Sequence, residues 1–113
     1  MCSKNTLELL LKETREGLRG FFGDKLCSVI LYGSYARGDY DDESDIDVMA
    51  LVDMEKEELS AYRRQIVNYS CDLDLKYDVV LSIKLQDKAT FDRWGAVLPF
   101  FKNVKREGVF VNG

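Results

Sequence analysis

Histidine is absent from all 113 residues. Its absence removes Ser-His-Asp and Cys-His nucleophiles, imidazole metal ligands and phosphohistidine transfer from the available chemistry. Cysteine is scarce: Cys2, Cys27 and Cys71 are odd in number and scattered. They suit neither a disulfide framework nor a zinc site, and they read as reduced thiols in a cytoplasm. No apolar run approaches the length of a membrane span, and the charged, amphipathic stretch from Met1 to Arg19 lacks the apolar centre of a signal peptide. A basic excess is missing too. Sixteen Lys and Arg face twenty Asp and Glu, a net charge of -4, which argues against long nucleic acid as the partner. Repeats and low-complexity linkers are also lacking. The length suits one domain, residues 1–113, and 46% hydrophobic residues suffice for its core.

What is present alternates between two periods. Leu7, Leu9, Leu10, Leu11, Leu18, Phe21 and Phe22 recur at roughly helical spacing over Thr6 to Phe22, and Gly23 supplies a stop. Leu26 to Tyr32 (LCSVILY) and Asp45 to Val52 (DIDVMALV) read as buried strands, with a polar loop or short helical turn between them. Glu55 to Cys71 is patterned as a helix, and Lys76 to Ile83 (KYDVVLSI) as a third strand. Asp87 to Lys105 reads as one or two helices broken or started at Pro99, and Gly108 to Val111 as a last edge strand. The sum is an α/β class with helices packed on a small mixed sheet. Phe91, Trp94, Phe100 and Phe101 are expected in the core or a partner contact, and Lys102, Lys105 and Arg106 at a solvated helix end.

The segment from Gly33 to Asp47 (GSYARGDYDDESDID) carries the chemistry. Residues i and i+2 of a strand share a face, so Asp45 and Asp47 project together while Ile46 and Val48 turn into the core. Two adjacent carboxylates repel, and a divalent cation is the simplest group that makes the arrangement favourable. Magnesium, which takes one or two carboxylates plus substrate phosphates, matches the pair. Asp78, a charge amid the apolar third strand, is expected to join them. Three carboxylates can hold two ions for an in-line displacement at phosphorus. Gly33 lets a phosphate approach the backbone, and Ser34 offers a hydroxyl to a triphosphate. Arg37 is left between a phosphate contact and a loop ion pair. Asp39, Asp41, Asp42 and Glu43 read as a solvated loop, and Tyr32, Tyr35 and Tyr40 flank the site without a stated role. Two motifs fail here. Asp39 and Tyr40 follow Gly38 where a P-loop needs Lys and Ser or Thr, and Ser44 and Ala50 stand where a calcium loop needs Gly and Glu.

Gly33-Ser34, ten residues, then Asp45-x-Asp47 resembles the signature of the DNA polymerase β-like nucleotidyltransferase superfamily. The form GSYARG…SDID, the acidic position at Asp78 and the closing FKNVKREGVFV resemble its minimal nucleotidyltransferase (MNT) branch. The resemblance implies the polymerase β-like fold, triphosphate binding at Gly33 and Ser34, two magnesium ions on Asp45, Asp47 and Asp78, and acceptor activation by Asp78. It implies AMP transfer from ATP to a tyrosine of a small helical HEPN partner, in a toxin–antitoxin pair. The alternatives are a non-catalytic antitoxin that covers its partner and, ranked lower, a small-molecule (antibiotic) nucleotidyltransferase. Only thirty residues, Lys84 to Gly113, follow the third strand, so one wall of the cleft is expected to come from a partner or a second copy.

Overall fold

The computed structural model describes residues 4–41 and 44–111. Cys2, Asp42 and Glu43, three of the residues singled out above, lie outside that range. The first helix, α1 (Lys4–Phe22), buries Leu10, Thr14, Leu18 and Phe22, one residue every turn. A 3-10 turn (Gly23–Lys25) leads into β1 (Leu26–Tyr32), a one-turn α2 (Ser34–Arg37) and β2 (Ile46–Val52). Then come α3 (Lys56–Ser60), α4 (Arg63–Tyr77), β3 (Leu81–Asp87), α5 (Lys88–Trp94), α6 (Pro99–Glu107) and the short β4 (Val109–Phe110). The sheet order is β3-β2-β1-β4. β1 pairs antiparallel with β2 and β4, and β2 pairs parallel with β3 across the helical crossover. The mixed sheet expected from the alternating pattern is therefore the one formed.

β2 lies inside the sheet, which explains its near-continuous apolar run. Ile46, Val48, Ala50 and Val52 face one core with Val29, Leu31, Leu81 and the helices α1 and α4. Met49 and Leu51 face the other way, into a smaller cluster of Ile30, Phe91, Phe101 and Val104 under α5 and α6. Full burial of each such aliphatic side chain contributes about 2 kcal/mol, so the register of β2 is fixed from both sides. Gly17 matters for the first core. Tyr69 of α4 lies over it, 2.1 Å from where a Cβ would be, and donates its hydroxyl to the Glu13 carbonyl at 2.8 Å.

The third strand departs from the reading of KYDVVLSI. α4 continues to Tyr77, and Asp78 ends it in the left-handed conformation (φ 54, ψ 53), its N–H donating to the Asp74 carbonyl. The strand begins only at Leu81, whose N–H donates to the Asp74 carboxylate at 2.7 Å. Asp is one of the few side chains that tolerate this cap conformation. The predicted helix from Glu55 is also split, into α3 and α4.

Candidate active site

The antiparallel register sets Tyr32 opposite Asp47, and the parallel register sets Asp47 opposite Ser82. Because side chains alternate along a strand, Tyr32, Asp47 and Ser82 form one row on the face that carries Met49 and Leu51. Lys84, Met49 and Ile30 form the next row. The smaller apolar cluster covers only one end of this face. At the other end, Asp45, Ser82 and Lys84 are exposed and Asp47 is half-buried.

Gly33 follows β1 with φ 76 and ψ -155, a conformation that side chains rarely adopt. The place its Cβ would occupy is 2.5 Å from Asp47 Oδ2. The missing side chain thus seats the carboxylate against the backbone. The Gly33 carbonyl accepts from the Ala36 and Arg37 N–H groups, both at 3.1 Å, and the Ser34 carbonyl from Gly38 at 2.9 Å. This one-turn helix leaves the Ser34 hydroxyl unpartnered among the described residues. Tyr35 stacks on Tyr40 at 4.1 Å between centroids.

Charge is crowded at this point. Burial and then the neighbouring Asp45 push the Asp47 carboxyl above its ordinary value, while Arg37 pulls it down. Burial, and secondarily Asp47, push the Tyr32 phenol up to about 12. Burial is the larger cause of both shifts, and the repulsion exerted by Asp45 and Asp47 is the smaller part that a bound cation would relieve. Arg37 pairs with Asp39 at 3.2 Å and with Glu107 at 3.5 Å, the loop ion-pair arrangement. A cavity of about 190 Å3 between Gly33, Arg37, Phe100 and Asn103 adjoins it.

Asp45 and Asp47 are together, with Gly33 and Ser34 beside them, but Asp78 is not part of the group. It caps α4, three residues before β3, and no three acidic, cysteine or histidine side chains stand close enough for a metal among the described residues. The expected three-carboxylate, two-ion arrangement therefore lacks its third member. The donor set fits one magnesium shared with phosphates. Ser82 and Lys84 face the site in its place and were missed from sequence. The alternation Leu81, Ser82, Ile83, Lys84, Leu85 carried the signal.

A family model described as a nucleotidyltransferase domain matches residues 11–106. Two Methanocaldococcus jannaschii proteins, provisionally named protein adenylyltransferases, are similar in sequence. One is 45% identical over 74 residues, 65% of this chain and 72% of the relative. The other is 32% identical over 104 residues, 89% of this chain and 93% of the relative. A Sulfolobus solfataricus protein, provisionally described as a nucleotidyltransferase, matches with a TM-score of 0.59 at 28% identity, over 91% of this chain and 77% of that one. A toxin–antitoxin structure with AMP-PNP matches with a TM-score of 0.55 over 90% of this chain and 73% of that one, and at 18% identity the likeness is one of fold.

Proposed function

The chain belongs to the nucleotidyltransferase domain family, and from that premise we propose that it moves AMP from magnesium-bound ATP to a hydroxyl of a partner protein. The acceptor we propose is a tyrosine of a small helical HEPN toxin, which makes this chain the antitoxin. The observation that carries the reading is the Asp45 and Asp47 pair, with Asp47 seated against Gly33. Further support comes from the protein adenylyltransferase names of the two relatives and from the toxin–antitoxin neighbour with AMP-PNP.

In this reading Asp45 and Asp47 hold the cation, and Gly33 and Ser34 hold the β- and γ-phosphates. Arg37 swings from Glu107 to the same phosphates. Bound magnesium supplies the charge that reconciles two carboxylates with a triphosphate. The acceptor oxygen attacks the α-phosphorus, and a new O–P bond forms. The bond from that phosphorus to the oxygen bridging to the β-phosphate breaks, pyrophosphate leaves, and the acceptor proton passes to water at the open face. The chain's own contribution is alignment and charge placement.

A purely covering antitoxin is favoured by one observation: among the described residues no third carboxylate joins Asp45 and Asp47 in a metal-sized group. A single experiment separates the two. The chain is incubated with the helical partner and ATP labelled at the α-phosphate, with and without magnesium, and the partner is weighed intact. The transferase reading expects the mass of AMP on the partner, only with magnesium and only while Asp45 and Asp47 are present. An unmodified partner held in a stable complex would establish the covering role instead.

A further inference from the structure

β3 is the last strand of the sheet on the side nearest the site. Ile46 N–H donates to the Val80 carbonyl at 2.8 Å, so the even-numbered residues of β3 turn their backbone groups toward β2. Leu81 turns the other way, and its N–H is taken by Asp74. By alternation, Ile83 and Leu85 present their N–H and C=O groups outward, off the sheet. A cavity of about 390 Å3 runs along this edge. Its lining comes from both sides of the sheet: Arg63 and Val67 of α4, with Ile83 and Leu85, and on the site face Ser82 and Lys84. Val67 is 57% exposed. Among the described residues, neither Arg63 nor Lys84 forms an ion pair and no acid lines the cavity. In a chain of net charge -4, this is a local excess of positive charge beside the outer edge of β3.

We propose that the β3 edge is the acceptor site, where an extended, acidic segment of the partner adds as a fifth strand and brings a tyrosine over Ser82 to the Asp45 and Asp47 pair. The inference rests on the transferase reading and names the acceptor's form. Edge addition supplies main-chain hydrogen bonds, and side-chain contacts supply selectivity. Acidic side chains meet Arg63 and Lys84. The residue paired beside Ser82 points to the site face, two strand spacings, about 9.6 Å, from Asp47. A tyrosine spans that gap across the small Ser82, whereas serine and threonine hydroxyls fall short of it.

The test uses labelled peptides with the whole chain, magnesium and ATP. One alternates valine and glutamate around a central tyrosine. A second replaces glutamate by lysine, a third replaces the tyrosine by serine, and a fourth is the first with alternate amides N-methylated. The acidic peptide is expected to bind at least about tenfold more tightly than the basic one. Arg63→Glu, a change on α4 at the opposite side of the sheet from Asp47, should abolish that preference while leaving the thermal shift with magnesium and ATP unchanged. The N-methylated peptide should lose binding, and the serine peptide should bind but gain no AMP. Equal binding of acidic and basic peptides, or full binding of the N-methylated one, overturns the edge site. So does absence of peptide binding in a chain that still modifies its partner. Binding with all these signatures but no AMP transfer would keep the edge site and remove the transferase reading.

Discussion

At the scale of the residue, Gly33 and Asp47 act as one unit. Gly33→Ala places a methyl 2.5 Å from Asp47 Oδ2 at a φ of 76. It should cost about 1–2 kcal/mol by denaturant titration, and transfer should fall with it, since the carboxylate must move. Asp47→Asn separates the two effects. Removing the half-buried member of two crowded charges should leave the metal-free melting temperature level or slightly higher. Transfer of labelled AMP should drop by at least about a hundredfold, and near-normal turnover in the folded variant would remove Asp47 from the mechanism. Asp78 offers the opposite expectation. It is exposed and holds a left-handed cap, so Asp78→Gly should stabilise by up to about 1 kcal/mol and leave transfer unchanged. A collapse of activity in that variant would return Asp78 to the site.

At the scale of the element, the strands with a clear boundary were legible and the one without was not. LCSVILY ends at Gly33, and the alternation in DIDVMALV separates carboxylates from core, so β1, β2, Gly33 and Asp47 could be placed from sequence alone. The third strand could not. Tyr77, Asp78, Val79 and Val80 have strand-forming composition, but α4 runs on to Tyr77, and the Asp74 carboxylate starts β3 at Leu81. Such a side-chain to backbone bond has no sequence period, and it moved the strand past Asp78 and brought Ser82 and Lys84 to the face. Helix contacts were equally hidden. Gly17 looks like a weak point in α1, where alanine would normally gain about 1 kcal/mol. Here Gly17→Ala should destabilise, because Tyr69 fills the space, and pairing it with Tyr69→Ala should cost less than the sum of the two single changes. α5 is held by Asp87, which accepts from the Thr90 N–H at 3.0 Å and from the Thr90 hydroxyl. Burial raises the Asp87 carboxyl, but the Thr90 hydrogen bonds outweigh it, and the net shift is downward from 3.8. Its stabilisation is therefore complete above 3.8 and is lost as pH falls through the lower folded value. The melting-temperature advantage of the parent over Asp87→Asn should shrink only in that acid range.

At the scale of the whole molecule, one face of the sheet is closed by α1 and α4, and the other is covered at one end only. The open end has Asp45, Ser82 and Lys84 at its surface, so ligands assemble there against solvent and depend on one another. Magnesium and ATP together should raise the melting temperature more than the sum of their separate effects. Occupancy near a hundred times the dissociation constant contributes about 2.7 kcal/mol, and additive shifts would count against a shared site. The pairing of Tyr32 with Asp47 has one more consequence, for how the chain tolerates insertions and deletions. The carboxylates are aligned with Gly33 by the ladder between β1 and β2, not by the length of the polar segment that joins them. Extra residues between Gly38 and Asp41, where the chain is exposed, should leave AMP transfer in place. One extra residue after Val48 would hold Asp47 only by breaking the core behind it, or save the core by turning Asp47 inward. The chain's catalytic spacing is thus written in strand register, and a scan of single-residue insertions would find it tolerant before Asp45 and intolerant immediately after.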